Sequence, residues 1–182
     1  MAALPGEEAA AEVIKHPLKH TWTFWLYTNT KKTWTENLVE LTSFNTVEDY
    51  WCLYHHMKTP SELALGQDYA IFKQGIRPMW EDKANKRGGR WLINFDRKRA
   101  GDIDNVWLHT VLLMIGENFD NSDEICGVVV NVRAKSKVGV WVKNSKKEKA
   151  VLEIGHRLKQ QFSHNVKLGF HVHDSTNNLY TL

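Results

Sequence analysis

Two apolar runs, residues 125–132 and 138–141, are separated only by Arg133-Ala134-Lys135-Ser136-Lys137. A connection this short joins antiparallel strands, because a parallel pair needs a crossover of a dozen residues or more. Other segments read as strands by their aromatic and β-branched content: 21–27, 69–72, 90–95, 166–173 and 179–182, with 38–44 as a short edge strand.

Three segments carry helical periodicity. In 46–57, Val47, Tyr50, Trp51 and Tyr54 share one face, and Thr46 with Asp49 reads as a capping box. The second helix spans 105–115, with Asp104 as N-cap and Gly116 as stop. The third spans 146–162, with Ser145 and Glu148 as a capping box and a buried stripe of Ala150, Val151, Ile154, Leu158 and Phe162. Strands outnumber helices and several connections are short. The expected fold is α+β, one domain built on a mostly antiparallel sheet with helices on one face. Residues 1–15, rich in Ala and Glu, read as a flexible arm, and the ordered domain as 16–182.

The 182 residues suffice for one substantial core. A net charge of +3 is too small for bulk duplex binding, so any nucleic-acid contact is expected to be local. Cys52 and Cys126 form neither a disulfide framework nor a metal-site spacing and suit a reducing compartment. The start has no signal-peptide pattern and no run reaches membrane-spanning length, so a cytosolic or nuclear protein is expected.

Eight Trp residues exceed what one core of this size needs, and two of them, Trp34 and Trp80, fall in polar loops. Each alone could plug the core edge. As a pair they could wall a slot for a planar ligand, each stacking contact contributing about 1–3 kcal/mol. Glu81 follows Trp80 and could be an ordinary solvated carboxylate. Beside a stacking ring it could accept from adjacent N–H groups, which guanine offers at N1 and N2. A cationic base, such as guanine methylated at N7, would add about 0.5–2 kcal/mol per ring. Asp82 points elsewhere in an extended segment and ranks below Glu81.

Arg133, Lys135 and Lys137 could form a solvated hairpin tip or a phosphate clamp, to which Lys86, Arg87 and Arg90 could add. Gly88-Gly89 is not part of a nucleotide-hydrolase phosphate loop. Catalysis finds no support: there is no nucleophile elbow, no reactive-Cys signature and no third ligand spaced to join His171 and His173 around a metal. No cofactor is implied. His16-Pro17-Leu18 with Val47 and Trp51 forms a second apolar cluster, either core or a dock for a partner's amphipathic helix.

These segments together resemble the translation initiation factor 4E family of mRNA cap-binding proteins. The resemblance rests on His16-Pro17-Leu18, Lys32-Thr33-Trp34, Thr46 to Trp51, Pro78 to Asp82, Asn85 to Trp91, and Cys126-Gly127 with Asn131 to Lys135. It implies a curved sheet of eight antiparallel strands with three helices on its convex face. It implies that Trp34 and Trp80 sandwich 7-methylguanine, that Glu81 pairs with its edge and that Trp141 lies against the N7-methyl group. By the same resemblance, Arg133 and Lys137 bind the phosphate bridge, supported by Arg90. His16, Pro17, Val47, Trp51 and Leu108 would take a Tyr-x-x-x-x-Leu-apolar helix from the scaffold initiation factor or from competing repressors.

Two departures stand out. His109 occupies a position where the family usually has an acidic residue facing the partner. The basic loop and the segment from His173 to Leu179 are short, and the family's regulatory Ser is not carried over to Ser175. The implied protein is a non-enzymatic, monomeric, cytoplasmic initiation factor with a nuclear pool possible. The alternative is a cap-binding repressor paralogue with altered scaffold binding.

Overall fold

A computed structural model describes residues 14–95, 100–162, 166–175 and 177–182. The expected arm lies mainly at 1–13, outside these residues. Eight strands form one curved antiparallel sheet in the order β2-β1-β3-β5-β6-β4-β7-β8. They are β1 Pro17–Tyr27, β2 Leu38–Thr46, β3 Asp68–Lys73, β4 Gly89–Asn94, β5 Ile125–Asn131, β6 Lys137–Val142, β7 Leu168–Val172 and β8 Asn178–Thr181.

Alternation along the strands divides the apolar side chains between two faces. Trp22, Phe24, Ile71, Trp91, Ile93, Val128, Val140 and Phe170 point to one face and build the main core. Trp25, Ala70, Phe72, Val129 and Trp141 point to the other and form a smaller cluster. The expected helices α2 Val47–His56, α3 Ile103–Ile115 and α4 Glu148–Phe162 supply the main core's cover. A fourth, one-turn helix, α1 Trp34–Asn37, joins the three expected. It is too short for hydrophobic periodicity to reveal.

Three cap assignments need correction. The α2 box is half formed: Thr46 Oγ1 accepts from the Asp49 N–H at 3.1 Å, while the Asp49 carboxylate instead pairs with Lys15 at 2.7 Å. Helix α3 begins two residues before Asn105, and Asp104 is not its cap. The Asp104 carboxylate accepts from the Ser61 N–H and hydroxyl at 2.8 and 2.6 Å, tying a 3-10 turn to the helix. Ser145 does not cap α4; its hydroxyl donates to the Arg87 carbonyl at 3.0 Å.

Helix α4 lies very close to β4. A Cβ on Gly155 would stand 2.4 Å from the Trp91 ring, so only glycine permits this approach. The Trp91 indole N–H then reaches the Val151 carbonyl at 2.8 Å, satisfying a fully buried donor.

Candidate functional site

The sheet face opposite the long helices opens into a cavity of about 470 Å³, a size suited to a small planar ligand. Trp34, Trp80, Glu81, Trp141, Arg90 and Arg133 all line it. Six of the seven residues expected at such a site therefore converge from five separate chain segments.

Trp34 opens α1, and the local sequence fixes its place. Thr33 and Glu36 form a reciprocal capping box at the start of that turn. Asn37 is almost fully buried and organises the preceding loop: its Oδ1 accepts from the Thr30 and Lys31 N–H groups, and its Nδ2 donates to the Lys31 and Thr33 carbonyls. The Trp34 ring lies beside Tyr27, with centroids 5.7 Å apart. It is nonetheless 44% exposed, which a ring that merely plugged the core would not be.

Trp80 and Glu81 stand on a loop held by their neighbours. The Asp82 carboxylate accepts from the Arg77 and Ala84 N–H groups. The wholly buried Asn85 donates to the Arg77 and Met79 carbonyls. These bonds fix the loop without using either the Trp80 ring, 51% exposed, or the Glu81 carboxylate. Glu81 has no hydrogen-bonding partner among the described residues, whereas Asp82 is spent on the fold. Their unequal ranking in the sequence thus has a geometric reason.

Trp141, on β6, forms part of the buried floor. The Phe72 ring meets it edge-on at 5.4 Å, the His173 ring lies 4.2 Å away and the Arg90 guanidinium sits 5.7 Å from its centroid. Burial pushes the Arg90 pKa down, and its Nε–H is buried without a partner. A partly dehydrated guanidinium with no carboxylate beside it among the described residues is a ready receptor for an anion. Burial, then the Arg90 charge, pushes the His173 imidazole down to about 4, so it is neutral near pH 7.

Arg133 is paired, which the sequence did not reveal. Its Nη1 donates to Asp68 Oδ1 at 2.6 Å and its Nη2 to Oδ2 at 3.1 Å; Nη1 also reaches the Gln67 and Val132 carbonyls. These bonds leave the Nε–H and the second Nη2 hydrogen as a further donor fork. Burial raises the Asp68 carboxyl pKa, against the opposing pull of Arg133.

Lys137 is placed differently from the other six expected residues. It starts β6 half-buried and does not line the cavity. Burial first, then the Arg90 and Arg133 charges, lower its ammonium pKa, so it stands within electrostatic reach of both arginines. Lys135, Lys86 and Arg87 also lie outside the lining. A Cβ on Gly88 would fall 1.9 Å from the Val142 carbonyl oxygen, and the Arg87 carbonyl accepts from Ser145. Gly88 therefore lets the chain press onto β6, and Gly89 lets it press onto β7.

On the helix-covered side, His16 and Pro17 enter β1 beside the start of α2. The His16 N–H donates to Glu48 Oε2 at 2.8 Å, its ring nitrogen lies 2.6 Å from Oε1, and its carbonyl accepts from the Val47 N–H. The hydrogen bonds from His16 hold the Glu48 carboxyl down at about 2. Val47 is exposed, while Trp51 and Leu108 are only partly buried against the core. His109 is exposed, and its Nδ1 donates to the Asn105 carbonyl at 2.8 Å.

The family model for eukaryotic initiation factor 4E matches residues 17–180. The chain belongs to this family. Initiation factor 4E relatives include eukaryotic translation initiation factor 4E1 of Drosophila melanogaster, 49% identical over 177 residues, covering 94% of this chain and 68% of the relative. Among solved structures, initiation factor 4E-3 of Ascaris suum with m7G cap superposes with a TM-score of 0.89 at 40% identity, covering 93% of this chain and 98% of that one. Initiation factor 4E-3 of C. elegans with the 4E-binding protein Mextli gives 0.88 at 38% identity, covering 93% and 100%. Initiation factor 4E is a translation factor and not an enzyme family.

Proposed function

We propose that this chain binds the 7-methylguanosine 5′ cap of mRNA and recruits a scaffold initiation factor to it. The observation that carries this reading is the placement of two half-exposed indoles, Trp34 and Trp80, on the same cavity as an unengaged carboxylate, Glu81. The rings stack on the two faces of the base and attract its positive charge. Glu81 accepts from N1–H and N2–H, and Trp141 lies under the N7-methyl group. Arg90 and the free fork of Arg133 bind the phosphates together with the nearby Lys137 ammonium. Residues 16–182 form the cap-binding domain and act as a monomer.

The scaffold, or a repressor competing with it, docks a Tyr-x-x-x-x-Leu-apolar helix on His16, Pro17, Val47, Trp51 and Leu108. His109 sits at the border of this patch. With its Nδ1–H committed to Asn105, the ring leaves Nε2 to face a partner where a carboxylate is usual. The alternative of a repressor paralogue rests on that one residue, and relatives named as initiation factors do not favour it. No described helix is long and apolar enough to cross a membrane. The cytoplasm, where capped mRNA is translated, is the proposed compartment.

One preparation tests both halves. Cap analogue should quench Trp fluorescence saturably, and a Tyr-x-x-x-x-Leu-apolar peptide should bind without displacing it. Quenching absent at millimolar analogue would overturn the cap assignment; peptide binding absent with the cap bound would overturn recruitment.

A further inference from the structure

Away from the cavity, β1 meets the end of α3 and the 3-10 turn Ser122–Glu124. Here His20, Glu117 and Asp123 bring three candidate ligand atoms within 4.8 Å of one another. Sequence spacing could not reveal the group, because about a hundred residues separate His20 from the two acids. His20 Nε2 and Glu117 Oε1 face each other at 3.5 Å, and both are buried without a hydrogen-bond partner. That separation is close to the edge of a tetrahedron around a zinc ion, about 3.4 Å for ligand bonds near 2.1 Å.

A cation already sits at this group. The Lys19 ammonium bridges Glu117 Oε2 and Asp123 Oδ1 at 3.3 Å each. Lys19 is about half exposed, so its head can swing into solvent at small cost, and the Asp123 side chain, three-quarters exposed, is free to close the remaining distance. Burial, followed by the charge of Lys73, holds the His20 pKa below its usual value, keeping the imidazole in its ligating form. Lys73 is committed to the Ser122 carbonyl at 2.8 Å and stays close enough for its charge to be felt by His20, Glu117 and Asp123.

We propose that His20 Nε2, Glu117 Oε1 and Asp123 Oδ1 bind one divalent transition metal ion, of the zinc class, displacing Lys19. One nitrogen and two carboxylate oxygens suit zinc or cobalt, and water completes the coordination. The ion would staple the start of β1 to the segment after α3, on the helix-covered side of the sheet and independently of the cap cavity.

The test is calorimetric titration of the metal-free full chain with zinc alone, with cobalt absorption reporting coordination geometry. The expected result is one equivalent bound, weakened at least tenfold by both His20→Ala and Glu117→Gln and strengthened by Lys19→Ala. Circular dichroism confirms that each variant is folded. Asp123→Asn, at an exposed position, serves as the second reading should His20→Ala unfold. Binding that is absent, or equally strong in the His20 and Asp123 variants, overturns the proposal and assigns any uptake to the chain's other histidines. Cap-analogue affinity is measured in the same samples, so loss of the cap reading would not be confused with loss of this one.

Discussion

Asp68 and Arg133, 65 residues apart in the chain, meet in a two-point ion pair at the cavity rim, with contacts of 2.6 and 3.1 Å. The pair fixes the guanidinium plane and presents its remaining donors outward. Arg133→Ala should therefore do two things. It removes charge-assisted bonds worth about 1.5–3 kcal/mol to phosphate, a loss of roughly ten- to hundredfold for a cap triphosphate. It also leaves the largely buried Asp68 carboxylate without its counter-charge, which costs stability. Adding Asp68→Asn should restore melting temperature without restoring triphosphate affinity. Calorimetry with triphosphate and nucleoside ligands checks this: the nucleoside should change by no more than about twofold.

Glu81 and the N2 amino group of guanine are expected to be energetically coupled. A 7-methylinosine ligand, which lacks that amino group, should bind the native chain about ten times more weakly than 7-methylguanosine. In Glu81→Ala the two ligands should bind alike. Preserved discrimination in that variant would mean that another group reads the base edge.

His173 makes stability depend on acid. Its folded pKa is lowered from 6.5 to about 4, by burial and by Arg90. The unfolded chain therefore binds more protons between these values. The stabilisation is complete above about pH 6.5 and is lost as pH falls through 6 and 5 towards 4, on the order of 2–3 kcal/mol in all. Denaturant titrations of the native chain and His173→Gln should diverge in slope against pH over that window. His20, also lowered, retains a smaller share of the slope in the variant.

Much of this molecule was legible from local pattern. The strands begin and end within a few residues of their hydrophobic runs, because alternation is a local property; β1 is the exception, running back to Pro17. The sheet order was not, since β5 pairs with β3 across more than fifty residues. The cap errors share one cause: Asp49, Asp104 and Ser145 have the right chemistry, but Lys15, Ser61 and Arg87 claim their side chains. In the site, Trp34 and Trp80 were visible as rings out of place in polar loops, and Glu81 by its position beside one of them. Asp68 was invisible, because its role exists only once Arg133 is folded against it. Asn37 and Asn85 read as loop polarity, although each is buried and organises the backbone beneath a Trp.

The half-exposed rings permit an unusually clean experiment, because removing one should leave the core intact. Titration of the native chain and of Trp80→Ala with 7-methylguanosine triphosphate and with guanosine triphosphate isolates the contribution of two indoles around a charged base. The native chain should prefer the methylated ligand at least about tenfold, and Trp80→Ala should lose about 1–3 kcal/mol for it and most of the preference, with an unchanged melting temperature. Equal affinity of the native chain for both ligands, or full preference surviving in Trp80→Ala, would contradict a sandwich at this cavity.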